Sequence, residues 1–241
     1  MAEDKKDDPA FLYFPTNYRW SMGLLICLSG APWTGVEIDE VNRVGQALGT
    51  KVGDDTAWFE EWCRIGDKVE ARGRDAERVG HRLTAASCYM RAQRYYQTGE
   101  RFIQPRSERS MEVYAKSVRL FREAAAIIRR PRIEPVEIPY EDKSLPGLLV
   151  HPDPDVTRGR RAPAMVFFDG FDVTKELQYG YGVPDLAARG VARAALRVLR
   201  RLGRAMGLSR DLGAAARAAR FRQSALAVGA ARASAMGARG G

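Results

Sequence analysis

The chain has 241 residues, 45% of them hydrophobic, enough for one large domain or two small ones. Its net charge of +9 is unevenly placed: residues 1–192 hold 28 Lys+Arg against 29 Asp+Glu, whereas residues 193–241 hold eleven Arg, no Lys and Asp211 as the sole acid, so the basicity says nothing about the body. Three cysteines, Cys27, Cys63 and Cys88, with no C-x-x-C pair exclude a disulfide framework, a charged Met1–Pro9 excludes a secretory leader, and the longest apolar run, Met22–Leu28, is too short to cross a bilayer, so the expected location is cytoplasmic.

From about residue 36 to 130 the apolar spacing is helical. Ile38, Val41, Val44 and Leu48 mark a first helix. Asp55 caps a second, in which Trp58, Trp62, Ile65 and Val69 recur at three- and four-residue steps until Gly73 ends it, with Cys63 packed in its aromatic stripe. A third carries Val79, Leu83, Ala86 and Met90 on one face, adds Tyr89, Tyr95 and Tyr96, and stops at Gly99. Ser107 caps a fourth, with Met111, Tyr114, Val118, Phe121, Ala125 and Ile128 in register up to Pro131. The spacing has no fixed 34-residue return and so is not a tetratricopeptide array.

At Pro131 the period changes. Val136, Ile138 and Tyr140 alternate, Glu141 to Ser144 supply a polar turn, and Leu145 to Val150 resume, which predicts a β-hairpin. A polar loop from Pro152 to Arg161 leads to Ala164–Phe168, a continuous apolar run of the kind found in strands covered on both faces. A helix from about Lys175 to Arg189 closes at Gly190, and Val191-Ala192 opens a further strand, a βαβ unit.

Few residues outside the aromatics invite chemistry. His81 lies in a helical stretch beside Arg78 and Arg82 and reads as a solvated or packed residue. His151, with Asp153 and Asp155, falls in a proline-interrupted loop that lacks the periodic geometry of a metal site, so no metal is expected. The pairs Asp54-Asp55 and Glu60-Glu61 read as solvated caps and faces. Gly180-Tyr181-Gly182 lacks the frame of a phosphate-cradling loop, and no nucleotide fingerprint is present.

The order helical domain, hairpin, apolar strand, glycine loop, helix resembles the α/β-hydrolase superfamily, and within it the branch with a helical N-terminal cap, which includes 2,6-dihydroxypseudooxynicotine hydrolase and the FrsA-like esterases. The residues that carry the resemblance are Val136 to Tyr140 with Leu145 to Leu149, Phe167-Phe168-Asp169-Gly170-Phe171-Asp172-Val173-Thr174-Lys175-Glu176, and the aromatic pattern around Trp62-Cys63 and Tyr95-Tyr96. It covers about residues 10–192.

The resemblance implies an α/β fold, with a helical cap at residues 1–131 and the N-terminal part of a hydrolase core at residues 132–192. It implies an oxyanion hole whose first donor is the N–H of Phe171, after the turn that Gly170 permits. Trp58, Trp62, Tyr95 and Tyr96 become the expected pocket residues for a small acyl or aromatic substrate. The implied chemistry is serine-type hydrolysis of an ester, an amide or an activated carbon–carbon bond next to a carbonyl, without a cofactor.

The triad itself does not follow. Gly207-Leu208-Ser209-Arg210-Asp211 lacks the second glycine of a nucleophile elbow, Ala233-Ser234 lacks both, and no His follows residue 151. In residues 193–241, 33 of 49 are Ala, Arg or Gly, a composition poor at building a core. GC-rich DNA read out of frame yields such residues, so the expectation is a sheet left incomplete by truncation or a frameshift after about residue 192, no encoded catalytic set, and an inactive chain prone to associate through Met165, Phe167 and Phe168. Two rivals remain: a non-enzymatic binding protein whose arginine-rich tail contacts nucleic acid or another anion, and a pseudoenzyme that uses its cap for homodimerisation.

Overall fold

The computed structural model describes residues 12–140, 143–168 and 173–196. These fall into two compact units, 12–130 with 179–184 and 131–178 with 185–196. Among the described residues no helix is long and apolar enough to cross a membrane.

The first unit is helical, with α1 (Tyr18–Leu28), α2 (Ala31–Thr34), α3 (Ile38–Leu48), α4 (Asp55–Arg78), α5 (Arg82–Glu100) and α6 (Glu108–Ile127). Side-chain caps start three of them: Asn17 accepts from Trp20 N, Asp54 from Thr56 N and Ala57 N, and Ser107 from Ser110 N. The cap of α4 is therefore Asp54, and Asp55, the expected cap, is its first helical residue.

Gly73 does not end α4. One glycine costs a helix only about 1 kcal/mol relative to Ala, and here the missing side chain is what lets α5 approach, because a Cβ at Gly73 would stand 2.6 Å from the Tyr89 ring. Gly99 likewise lies inside α5, where a Cβ would meet that of Trp62 at 2.8 Å.

Helix α5 packs against α4, α6, α1 and α2 and is buried nearly all round. A helix covered on every side has no single apolar stripe, and the expected face failed accordingly: Ala86 and Met90 are buried, but Val79 and Leu83 are 55% and 76% exposed at the turn into the helix. Helix α1 lies outside the segments whose spacing predicts a helix, yet its residues Trp20, Leu24 and Cys27 are core. Its one-sided pattern is blurred by apolar residues around most of its surface.

The second unit holds β1 (Ile133–Tyr140), β2 (Lys143–Val150), α7 (Pro154–Thr157), β3 (Ala164–Phe168) and β4 (Ala192–Leu196), while α8 (Lys175–Tyr179) and α9 (Val183–Ala188) lie between β3 and β4 in sequence. The sheet order is β1-β2-β4-β3, antiparallel for β1·β2 and β2·β4 and parallel for β4·β3. The hairpin and the βαβ crossover are both present. Where one helix was expected over residues 175–189 there are two, parted by Gly182 at φ +77°, a conformation that suits glycine.

The buried face of the sheet carries Ile133, Leu148, Val150 and Arg193. It does not extend over β3, where Met165 is 44% and Phe167 37% exposed. Ala164–Phe168 is thus less covered than its apolar run suggested, and among the described residues β3 pairs with β4 alone.

Candidate active site

Strands β3 and β4 run parallel with Phe168 beside Leu196, so their carboxyl ends lie together. In open α/β sheets ligands bind beyond such ends. The connection leaving β3 carries Gly170 and Phe171, the expected oxyanion-hole residues, and both lie outside the described residues.

The described part of that connection resumes at Val173. Thr174 starts α8, its Oγ1 accepting from Leu177 N at 3.3 Å and its carbonyl from Gln178 N at 3.0 Å. Lys175 and Glu176 follow as an ion pair between Lys175 Nζ and Glu176 Oε1, with both side chains buried. Glu176 Oε2 and the carboxamide of Gln178 are buried without a hydrogen-bond partner. Orphaned polar atoms of this kind cost about 1–3 kcal/mol each, and they mark α8 as polar beyond what packing needs.

The four expected pocket aromatics sit on α4 and α5, and the structure divides them. Trp58 and Trp62 lie 5.5 Å apart and Trp62 and Tyr95 5.7 Å apart, in one buried stack that continues to Trp20 and to half-buried Phe102. Trp58 Nε1 donates to Thr98 O at 2.9 Å. The Tyr95 hydroxyl donates to Glu40 Oε2 at 2.7 Å and accepts from Glu37 N at 3.2 Å. Trp62 Nε1 is buried without a partner.

Tyr96 faces another way, into an open cleft of about 380 Å³ lined by Cys63, Asp67, Arg109, Glu112, Val113, Lys116 and Arg119. Its hydroxyl has one proton to share between Asp67 Oδ1 at 2.6 Å and Glu70 Oε2 at 3.0 Å. Lys116 Nζ reaches the same two carboxylates at 2.8 Å each and stands 4.6 Å from the Tyr96 ring centre.

Burial raises both carboxyls, yet hydrogen bonds from Lys116 and Tyr96 and the Lys116 charge outweigh it and hold Asp67 and Glu70 below the usual carboxylate range. Burial, then the hydrogen bond to Asp67, pushes the Tyr96 phenol well above its ordinary value. The Asp67–Glu70 spacing of three on α4 placed both acids on one helix face, but their pairing with α6 is a tertiary contact that the sequence reading missed.

At the cleft floor burial pushes the Cys63 thiol up to about 12, against the pull of the Arg109 charge. Thiolate, not thiol, is the nucleophile. Iodoacetamide at pH 8 is therefore expected to leave Cys63 unmodified in the folded protein and to alkylate it fully in denaturant. Rapid native alkylation, read by peptide mass mapping, would contradict the buried placement.

His81 is the exposed residue preceding α5 rather than a mid-helix residue. His151 Nε2 lies 2.7 Å from Glu134 Oε2 and 2.8 Å from Arg132 Nη2. Among the described residues no group of three His, Cys, Asp or Glu is placed to hold a metal ion.

No protein-family model matches the chain. It is similar to hydrolase LUC6 of Fusarium sp, at 31% identity over 182 residues, covering 74% of this chain and 42% of that protein. It is also similar to 20-hydroxy-prefusarin hydrolase FUS2 of Gibberella moniliformis, at 30% identity, covering 68% and 39%. Alpha/beta hydrolase ucsC of Acremonium sp matches at 27% identity, covering 71% and 38%. Among solved structures, that of 2,6-dihydroxy-pseudo-oxynicotine hydrolase superposes with a TM-score of 0.54 at 21% identity, covering 70% of this chain and 44% of that one. The chain thus spans about two fifths of the length of the relatives it matches.

Proposed function

From the premise that this chain is related to the α/β-hydrolase superfamily, we propose that it supplies the helical cap and the opening strands of a serine-type hydrolase acting on a small acyl or aromatic substrate. The observation that carries the reading is the mixed sheet β1-β2-β4-β3, in which the glycine-bearing connection after β3 leaves from the carboxyl end of a parallel pair. That is where an oxyanion-hole donor belongs. Gly170 provides the turn and the N–H of Phe171 the donor, with the second donor coming from the residue after the nucleophile. Trp58, Trp62 and Tyr95 shape the cap from within its core, and Tyr96 is the member of the set that borders open space.

The reaction in the whole protein is attack by a serine on an ester, an amide or an activated carbon–carbon bond next to a carbonyl. It requires a histidine base within hydrogen-bond reach of the serine. These 241 residues offer only His81 and His151. The first precedes a cap helix, and the second is engaged with Glu134 and Arg132. The chain by itself is therefore inactive, and its residues contribute binding and oxyanion stabilisation once a nucleophile, acid and base are joined to them.

Incubation with a fluorophosphonate probe and with short p-nitrophenyl esters tests this. No serine of the chain becomes labelled and no ester turns over above background, whereas fusing residues 1–192 to the downstream part of a longer relative restores labelling. Stoichiometric labelling of any serine in the chain alone would sink the reading, and so would a fusion that folds but stays unlabelled.

A further inference from the structure

We propose that the cleft between α4 and α6 binds a dipeptide-sized zwitterion, whose ammonium meets Glu112, whose carboxylate meets Arg119 and whose apolar side chain lies on Val113 and Cys63. The inference concerns the helical unit alone and does not rest on the hydrolase reading.

The cleft is a gap in a ladder of ion pairs. Acids of α4 meet bases of α6 at successive turns, Glu60 with Arg109 and then Asp67 and Glu70 with Lys116. Beyond them the sense reverses, and Arg74 of α4 takes Glu123 of α6 at 2.5 Å. One turn is missing. Between Glu60 and Asp67 the residue that α4 presents is Cys63, buried and without charge, and α6 sets Glu112 and Val113 beside it. There the helices leave about 380 Å³, within the range of small-molecule sites, about 300–1,000 Å³.

Among the described residues that border this space, two charges are uncommitted. Glu112 makes no hydrogen bond or ion pair with any of them. Arg119 has one partner, Glu123 Oε1 at 3.8 Å, which is beyond hydrogen-bond reach and belongs to a carboxylate that Arg74 already holds. A ligand of a single sign would gain one of these contacts and be repelled at the other. One that carries both signs uses both.

Their spacing sets its size. Glu112 and Arg119 stand seven residues apart, so they share a face of α6 about 10.5 Å apart along its axis. With a charge-assisted hydrogen bond of about 2.8 Å at each end, the ligand's own charges lie about 5 Å apart. A free α-amino acid has a single carbon between its charged groups and is too short, whereas a second residue adds up to about 3.5 Å. Between the two charges Val113 and Cys63 offer apolar surface.

Titration calorimetry of the full chain with glycyl-leucine tests the proposal. Saturable binding at one site is expected, at least tenfold weaker for leucine alone. Removing the ligand's ammonium by N-acetylation weakens it at least tenfold, as does Glu112→Gln, and the two losses do not add because they break the same contact. Amidation of the ligand's carboxylate and Arg119→Gln behave as a second such pair. Circular dichroism stays unchanged in both variants, since neither side chain has a close protein partner. The proposal is overturned by the absence of saturable binding at millimolar dipeptide, by capped ligands that bind as well as the free one, or by variant and cap losses that simply add.

Discussion

Arg94→Met is expected to destabilise the helical unit by about 3 kcal/mol, from the loss of two hydrogen bonds made by a charged donor at about 1.5–3 kcal/mol each. Arg94 is a fully buried arginine in the middle of α5. Its Nε donates to Cys27 O at 2.9 Å and its Nη2 to Ile26 O at 2.6 Å, with Ser29 Oγ at 3.3 Å. These acceptors belong to the last turn of α1, where unsatisfied carbonyls form the negative end of the helix dipole and a cation is favoured.

Gly30 makes room for this arrangement, because a Cβ there would stand 2.4 Å from Arg94 Cζ. Gly30→Ala should therefore displace the guanidinium and cost a similar amount, and the two losses should not add. In an Arg94→Met background the alanine should be nearly neutral, since the group it collides with is gone. Urea titrations of the two single variants and the double variant measure the coupling, and simple additivity would show that Arg94 does not cap α1.

The second large effect is alkaline. Burial, with the negative charge and hydrogen bond of Glu40 among the further causes, raises the Tyr95 phenol far above its ordinary value, and burial alone pushes Tyr179 up to about 12. Below pH 10 both the folded and the unfolded chain hold these protons and the full stability is present. Above pH 10 the unfolded chain releases them and the fold cannot, so stability falls as pH rises, by about 1.4 kcal/mol per unit for each group.

Between pH 10 and 12 the pair removes about 5 kcal/mol, comparable to the whole stability of a small domain. Phenolate absorbance and the helical circular dichroism signal should therefore change together, in one cooperative step. Phenolate appearing for these two residues while the helices persist would show that they are not sealed in the core.

Much of this architecture is written in local pattern. Helix α6 runs from a serine cap to the approach of Pro131, as its three- and four-residue spacing predicts. The alternation after Pro131 predicts the hairpin β1·β2, and the strand–glycine–helix–strand order predicts the parallel crossover β3·β4. The resemblance to α/β hydrolases was legible in the same stretch, and the similarity to LUC6 and to the 2,6-dihydroxy-pseudo-oxynicotine hydrolase structure agrees with it.

Elsewhere the pattern misled, and always for a reason of packing. Gly73 reads as a stop, but α4 runs through it because the Tyr89 ring of α5 needs the space. The run Ala164–Phe168 reads as a strand covered on both faces, but Met165 and Phe167 are partly exposed, because an apolar run does not say what packs against its strand.

By itself, the sequence determined helices α3 to α6 and strands β1 to β4, the change of period at Pro131, and the want of a histidine after residue 151, because periodicity and residue identity are local properties. Tertiary structure alone decided that Arg94 caps α1, that Tyr96 with Asp67, Glu70 and Lys116 closes a network across three helices, and that β4 lies between β2 and β3 in the sheet. Each of those depends on which surfaces meet, and residues between 20 and 68 positions apart meet only when burial of the whole apolar set selects one arrangement over its rivals.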